Sequence, residues 1–329
     1  MEMTDKDNKK EDFVHRFTRR SRHHDYYAPA IYHIIIKKHP SAPVFGVLSG
    51  DPRIAPGLPG SASIAKTALG KIVQKEVYDF RYSHPGIVPL QYIVMPDHVH
   101  MLFRVTERLP KHIGFYISKM KALIKKKWMD LKTKANPIQA TVDEEIFEEN
   151  YTDRIIYAKR SLDAVYKYIK DNPHRLAIRK LYPQFFCKVR TLKIGEEDYQ
   201  AYGNALLLRN PFKRQVVVHR KDTPEEFQRQ KDECIEEIVK GGLLVSPFIS
   251  PREKEIFEVA IRNNGRIIYV QQNPFGERYK PSGREFDLCS KGRLLIIVPV
   301  NGFENITMRE IFLKMNKISE EICVGNFRV

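Results

Sequence analysis

The chain has only four cysteines among its 329 residues, and no two of them have the Cys-x-x-Cys spacing of a zinc or redox motif. They are Cys187, Cys234, Cys289 and Cys323. This scatter predicts reduced structural thiols rather than a disulfide framework. No apolar run approaches the ~20 residues that span a bilayer, and residues 1–11 lack the hydrophobic core of a signal peptide. We therefore expect a cytoplasmic protein with no membrane contacts.

A Gly-x-Gly-x-x-Gly fingerprint is also absent, so the sequence does not support dinucleotide binding. Acidic residues are scarcer than basic ones: 40 against 56, a net charge of +16. The excess is uneven, because residues 1–180 hold 32 basic and 20 acidic residues, whereas the remainder holds 24 and 20. This distribution indicates that the N-terminal half binds a polyanion such as nucleic acid.

Two clusters contribute much of the positive charge. The first consists of Arg19, Arg20 and Arg22, and the second lies on one predicted helix and consists of Lys119, Lys121, Lys125, Lys126 and Lys127. We expect both clusters to contact DNA, although each could equally be a solvated surface that serves solubility. Among the nearby aromatic residues, Trp128 could stack on an unpaired base or belong to the core.

A histidine pair lies in the apolar, β-branched string Tyr-Ile-Val-Met-Pro-Asp-His-Val-His-Met-Leu, which runs from position 92 to 102. Alternate residues of a strand share a face, so His98 and His100 would point the same way and could bind one divalent metal ion. Val99 would point into the opposite layer. The alternative for an isolated His-x-His is a pair on the wet face of an ordinary sheet.

A second string, Tyr-Lys-Tyr-Ile-Lys-Asp-Asn-Pro at positions 166–173, is typical of a helix end, because Pro173 stops or kinks a helix. Ser161 is the predicted N-cap of this helix. Tyr168 and Asn172 are four residues apart and would share a face, whereas Tyr166 would lie on the far side. A phenol beside a bis-histidine metal site suits phosphodiester cleavage. The alternative for Tyr168 alone is a packed core aromatic.

Together the two strings resemble the HUH single-strand DNA nucleases with one tyrosine, and most closely the REP-associated tyrosine transposases. That family has a Met/Leu-Pro-x-His-hydrophobic-His motif and a later Tyr-Ile-x-x-Asn-Pro helix, both of which this sequence contains in the same order. The resemblance implies that His98 and His100 bind Mg²⁺ or Mn²⁺, that Asn172 completes the metal shell, and that Tyr168 is the nucleophile. It covers residues 12–182. A proline- and glycine-rich segment at 44–62 departs from the family pattern and predicts an enlarged loop.

The activity implied by the resemblance is metal-dependent cleavage and rejoining of single-stranded DNA near hairpins, through a covalent phosphotyrosine. Single-stranded or hairpin DNA is then the expected partner. Two other interpretations remain open: a non-catalytic nucleic-acid-binding regulator on the same fold, and a nucleotide-sensing protein led by its C-terminal domain. The sequence leaves both a monomer and a homodimer open.

In residues 1–182 the hydrophobic pattern predicts strands at 31–37, 87–95, 98–105 and 146–151, and helices at 63–80 and 111–131 before the tyrosine helix. This order is the ferredoxin-like plan of an α+β domain, an antiparallel sheet with helices on one side. The other face of the sheet would be open.

In residues 183–329 continuous apolar runs predict strands at 204–209, 215–219, 243–246, 266–271 and 293–298, with helices at 224–240, 251–263 and 308–322. This alternation predicts a doubly wound α/β domain of Rossmann-like type. Residues 241–298 are weakly similar to the Rossmann-like domain of DNA-processing protein A. The loops at 246–252 and 276–280 could line a phosphate pocket or be plain connections.

Overall fold

The computed structural model describes residues 21, 24–135, 144–277, 279–303 and 306–329. Contacts divide the chain into two compact units, Met1–Ala177 and Ile178–Val329. The sequence predicted a domain boundary after Tyr182. No helix among the described residues is long and apolar enough to span a membrane. The predicted DNA contacts Arg19, Arg20 and Arg22 lie outside the described residues.

The N-terminal unit is built on a four-stranded antiparallel sheet. The strands of the whole unit are β1 (Ala30–Lys38), β2 (Gly46–Ser49), β3 (Ser63–Lys66), β4 (Ile87–Val94), β5 (His98–Val105) and β6 (Phe147–Ile155). The helices of the unit include α1 (Ala68–Ser83) and α2 (Ile113–Ala135). The strand order in the sheet is β4-β5-β1-β6, and β2 pairs with β3 in a separate hairpin. Around that hairpin, the succession of strand, helix, strand, strand, helix and strand is the one predicted.

The two faces of this sheet differ in chemistry because side chains alternate along each strand. One face is apolar and packs against α1 and α2; its buried residues include Ile34, Ile36, Val99, Met101 and Phe103. The opposite face carries His98 and His100, with Ile35 of β1 paired directly against His100. The prediction that Val99 lies in the layer away from the two histidines is therefore correct.

A third helix, α3 (Lys159–Lys170), covers part of the histidine face and contacts β4 and β5. Its apolar side packs on the sheet through Ile169, Leu162 and Val165. Ala158 is its N-cap rather than Ser161, so the helix begins three residues earlier than predicted. A new helix, α4 (Asn172–Leu181), follows directly. The break is explained by Pro173, which cannot continue a helix but is well placed in the first turn of the next one.

The segment at 44–62, predicted as an enlarged loop, contains a strand as well as a long connection. Gly46–Ser49 pairs with Ser63–Lys66 as an antiparallel hairpin, and residues 50–62 form its connection. The helix predicted to start at 63 begins only at Ala68, because Thr67 is its N-cap and accepts a hydrogen bond from the Gly70 amide.

The C-terminal unit contains a seven-stranded mixed sheet of order β13-β7-β8-β12-β11-β10-β9. Its strands are β7 (Cys187–Ile194), β8 (Glu197–Gly203), β9 (Lys213–Gln215), β10 (Leu243–Ser246), β11 (Arg266–Val270), β12 (Leu294–Pro299) and β13 (Phe327–Arg328); its remaining helices are α5 (Pro224–Val239), α6 (Pro251–Arg262), α7 (Gly283–Ser290) and α8 (Met308–Val324). Strands β9 to β12 are parallel, as predicted, whereas β8 joins β12 antiparallel. The unit therefore mixes parallel and antiparallel strands.

Two strand predictions in this unit were wrong. Residues 204–209 form a 3-10 helix, because the Asn204 side chain accepts from the Leu206 amide and donates to the Gly292 carbonyl at 2.7 Å. Of residues 215–219 only Gln215 belongs to a strand. The β7–β8 hairpin was missed, since its strands mix polar and apolar residues and form no continuous apolar run.

We predict that Gly70→Ala destabilises the N-terminal unit. A Cβ at Gly70 would lie 1.7 Å from the carbonyl oxygen of Phe45, so α1 could not keep its position. Overpacking of this kind costs about 1–3 kcal/mol. Urea unfolding followed by Trp128 fluorescence measures this loss, because Trp128 is the single tryptophan of the chain and packs on the N-terminal core.

Gly86→Ala is the matched control in the same unit, because its Cβ would meet only the movable side chain of Glu107. An unfolding midpoint for Gly70→Ala equal to that of the control would contradict the packing argument.

Candidate active site

The two histidines of β5 meet at their Nε2 atoms, which are 3.0 Å apart. Nδ1 of His98 is 2.6 Å from a carboxylate oxygen of Asp97, to which it donates its proton. In the neutral form of His98 the Nε2 atom then carries a lone pair, the form that a metal ligand requires. His100 is only 3% exposed. The strand thus presents one partly exposed histidine, His98, and one buried histidine, His100, whose Nε2 atoms lie next to each other.

A third histidine, which the sequence analysis missed, completes the group. Nε2 of His33 on β1 lies 3.0 Å from Nδ1 of His100. The two ring planes are within 20° of each other, with centroids 5.2 Å apart. Asp97, His98, His100 and His33 therefore form one continuous polar row across two strands. The only signal in the sequence is a lone histidine in a β-branched run, and the pairing register that places it here is not readable from the pattern.

Tyr168 packs directly on this row. Its ring lies edge-to-face on His100 at 5.5 Å and on His33 at 6.3 Å between centroids. The guanidinium of Arg175, on α4, lies 5.2 Å from the centroid of the tyrosine ring. Tyr166 points away and is 45% exposed. The structure therefore brings to the histidines the one tyrosine of this helix that the spacing selected.

Asn172 is buried at the junction of α3 and α4. Its Nδ2 donates to the carbonyl oxygen of Tyr168 at 3.1 Å. The sequence placed both residues on one helix face, but the helix is interrupted between them. Because the amide nitrogen is engaged, Oδ1 is the atom of Asn172 that could bind a cation, and its role as a ligand stays a prediction.

Both buried histidines are neutral at pH 7. Desolvation, together with the positive charge of Arg154, lowers the pKa of His33 to about 4. Desolvation, followed by the influence of His98 and His33, lowers the pKa of His100 to about 2. Neutral imidazole is the form that binds metal, so burial prepares His100 for that role.

The nitrogen atoms of the two histidines can supply only part of the ligand shell of a cation. Two ligand atoms at right angles and about 2.1 Å from one ion lie about 3 Å apart, which matches the distance of 3.0 Å between the two Nε2 atoms. Among the described residues, however, no group of three or more histidine, cysteine, aspartate or glutamate side chains is arranged to hold a metal. An ion at the histidine pair would need oxygen from an amide, water or a substrate.

The part of the histidine face that lies over β1 and β6 is more open. Lys37 pairs in register with His98, and Arg154 of β6 pairs in register with His33. Both cations are exposed, and Lys37 lies 3.8 Å from a carboxylate oxygen of Glu148. These two side chains place positive charge beside the histidines, and the sequence analysis missed both because their position depends on strand register.

The predicted DNA-binding lysines of α2 lie on the opposite side of the sheet from the histidines, since α2 packs on the apolar face. Lys121 donates to the backbone carbonyls of Glu148 and Glu149 at 2.6 and 2.9 Å. Lys127 pairs with buried Glu76. The structure does not bring this cluster to the histidine pair.

The acidic segment before β6 also contacts α2. Glu145 pairs with Lys125 at 2.6 Å, and Glu144 accepts from Lys132 at 3.0 Å and from the indole of Trp128 at 3.1 Å. Of the five lysines, Lys119, Lys126 and Lys127 are exposed to solvent, although Lys127 also pairs with Glu76.

In the C-terminal unit, the loop at 246–252 is occupied by internal contacts. Arg252 donates to the carbonyl of Asp222 at 2.6 Å and lies over the ring of Phe227. The Glu253 carboxylate accepts from the amides of Ile249 and Ser250 at 2.7 and 2.9 Å. Arg252 is therefore engaged by α5 and the turn before it.

No family model and no curated protein matches this chain. Among solved structures it is similar to a REP-associated tyrosine transposase bound to a REP hairpin, with 12% identity and a TM-score of 0.30 over 47% of this chain and 73% of that one. A putative transposase from Deinococcus radiodurans R1 shows 15% identity and a TM-score of 0.23 over 46% of this chain and 95% of that one. Likeness at this level assigns no family, so the functional conclusion depends on the chemistry of the site.

We predict that the metal-free N-terminal unit loses stability on acidification because of these histidines. The unfolded state binds a proton on each histidine near pH ~6.5, whereas the folded state does not. The free energy of unfolding should therefore fall from pH ~6.5 down toward the folded-state values, by about 1.4 kcal/mol per pH unit for each histidine.

Urea unfolding by Trp128 fluorescence at pH 7 and pH 5, in excess chelator, measures the effect. His33→Phe keeps a ring but removes one titrating group, so its stability should depend less steeply on pH than that of the wild type. Equal dependence in both proteins would mean that His33 is charged or solvated in the folded state.

Proposed function

We propose that this chain is a metal-dependent endonuclease and strand transferase for single-stranded DNA, acting near hairpins through a covalent phosphotyrosine. The observation that carries the proposal is the packing of Tyr168 on His100, with centroids 5.5 Å apart, beside a histidine pair whose Nε2 atoms converge. A nucleophile candidate and a phosphate-activating site are thereby combined on one face of one sheet.

The chemistry is transfer of a phosphoryl linkage from DNA to tyrosine. The phenol oxygen of Tyr168 attacks the scissile phosphorus, a new tyrosine–phosphorus ester bond forms, and the bond to the 3′ oxygen breaks. The phenol proton is released, and the departing 3′ oxygen takes up a proton as a free hydroxyl. The DNA 5′ end stays on the enzyme, and attack by another 3′ hydroxyl reverses the step, so rejoining needs no external energy source.

His98 and His100 would hold Mg²⁺ or Mn²⁺, with Oδ1 of Asn172 as a third ligand. When bound, the cation would polarise the phosphate and stabilise the charge that develops on it. Asp97 orients His98 through Nδ1 and so keeps Nε2 directed at the site. Tyr168 has no hydrogen-bond partner for its hydroxyl among the described residues, so the oxygen is available to a substrate.

We propose that Lys37 and Arg154 bind the phosphates next to the cleaved phosphodiester bond, because these exposed cations share the histidine face. Lys119 and Lys126, on the other side of the sheet, would contact a different stretch of a longer hairpin, as would Arg19, Arg20 and Arg22. Contacts of this kind position DNA without reading its sequence.

The architecture that fits this proposal is a ferredoxin-like HUH domain followed by a Rossmann-like domain of open role. Support comes from the strand order β4-β5-β1-β6 with α1 and α2 on one face, and from the parallel strands β9 to β12. The motifs around His98 and Tyr168 are those of the REP-associated tyrosine transposases, which the sequence resembles.

Tyr168→Phe should abolish covalent attachment to DNA while leaving the fold and the DNA affinity intact. The change deletes only the phenol oxygen and keeps the ring on His100 and His33. The measurement is incubation with labelled single-stranded hairpin DNA and Mn²⁺, followed by denaturing electrophoresis. We expect no labelled protein band for Tyr168→Phe.

Tyr166→Phe is the control, because it removes the same oxygen from an exposed ring of the same helix. It should form the adduct as the wild type does. A labelled band from Tyr168→Phe would mean that Tyr168 is not the nucleophile, and Tyr157 or Tyr151 would then be the next candidate. Tight binding without an adduct in the wild type would favour the non-catalytic regulator instead.

A pair of double variants separates the two basic surfaces. Lys37→Ala with Arg154→Ala should weaken binding of a short single strand and reduce the slope of log affinity against log salt by about 1.4, or ~0.7 for each lost phosphate contact. Lys119→Ala with Lys126→Ala removes the same charge from the opposite side of the sheet.

We expect the second pair to leave binding of the short strand unchanged and to weaken binding only of a longer hairpin. Binding titrations at several salt concentrations test this. If the short strand responds to the α2 pair and not to Lys37 and Arg154, DNA approaches from the other face.

A further inference from the structure

The row of histidines has a definite proton order when no cation is bound. Nδ1 of His98 donates to Asp97, so in the neutral form of His98 the Nε2 atom can only accept. The neighbouring Nε2 of His100, 3.0 Å away, must then be the donor. A neutral imidazole carries one proton, so Nδ1 of His100 accepts, and Nε2 of His33 donates to it.

A ligand at the histidine pair needs the opposite order at His100. Its Nε2 must present a lone pair, so its proton must sit on Nδ1. The group that faces Nδ1 at 3.0 Å is Nε2 of His33, which must then accept. The planes of the two rings lie within 20° of each other, so the in-plane N–H of one can point at the in-plane lone pair of the other.

We propose that His33 is a positioning residue that sets the tautomer of His100 and thereby prepares it to bind a divalent cation. Histidine suits this position because its Nε2 can donate in the cation-free protein and accept in the cation-bound one. The exchange moves the proton of His100 from Nε2 to Nδ1 and the proton of His33 from Nε2 to Nδ1. The net charge of the row does not change.

The inference rests on the proposed metal role of His98 and His100, and the surroundings favour it over simple packing. His33 is buried, with its ring against both His100 and Tyr168. A residue needed only to fill this space could be apolar, as Leu102 is in the paired position of β5. A buried imidazole instead requires a polar partner, and the partner observed is the candidate ligand.

The first experiment is a titration with Mn²⁺ in the absence of DNA, in which the electron paramagnetic resonance signal of the free ion measures how much Mn²⁺ is bound. His33→Phe keeps the ring contacts but cannot accept a proton from His100, so we expect affinity to fall about tenfold to a hundredfold, the range for losing an outer-sphere partner. His33→Gln offers an amide oxygen near the position of Nε2 and should recover most of the affinity. His98→Ala should lose binding altogether.

The second experiment reads the tautomer by ¹⁵N NMR of the imidazoles, without metal and with Mg²⁺. In the wild type we expect His100 to change from the Nε2–H to the Nδ1–H form when Mg²⁺ is added. Wild-type Mn²⁺ affinity in His33→Phe, or an unchanged His100 tautomer, would overturn the role of His33 alone. If the wild type and His98→Ala bind Mn²⁺ equally poorly, the proposed metal chemistry fails as well.

Discussion

The interaction on which the N-terminal site depends is the hydrogen-bonded row that runs from exposed Asp97 through His98 to the buried His100 and His33. Burying an imidazole without a partner costs free energy, and each histidine in the row supplies what its neighbour needs. Remove one member and the next is left as an unpaired polar group under α3. The row therefore fixes the side chains around Tyr168 and links them to the stability of the sheet.

Strand β5 can hold this row because one of its faces packs in the apolar core and the other carries the histidines. Val99, Met101 and Phe103 are fully buried in the apolar core and anchor the strand. The residues between them are therefore free to be polar, and a slip by one residue would exchange the two sets. On the histidine face of the sheet, α3 covers the buried part of the row, while Lys37 and Arg154 are exposed to solvent. Exposed cations that a polyanion can reach therefore flank the row of histidines.

Local periodicity was enough to predict the pair on β5 and the choice of Tyr168 over Tyr166, because both depend on spacing within one element. It could not place His33 or Arg154, whose positions depend on the register between β1, β5 and β6. Such pairing joins residues far apart in sequence, and nothing local encodes it. The opposite error occurred at 204–209, where an apolar run suggested a strand but the Asn204 cap produces a 3-10 helix.

The break after α3 explains why an asparagine stands beside the tyrosine. Helix α3 ends at Lys170, so the carbonyl of Tyr168 lies in the last turn, where carbonyls lack regular helical donors. Nδ2 of Asn172 donates to that carbonyl at 3.1 Å and so fixes the turn that carries the phenol. An aspartate could not donate, and a leucine would leave the carbonyl unsatisfied. A carboxamide both satisfies the backbone and keeps an oxygen free, so in the proposed mechanism Asn172 would hold Tyr168 in place and supply the third ligand of the cation.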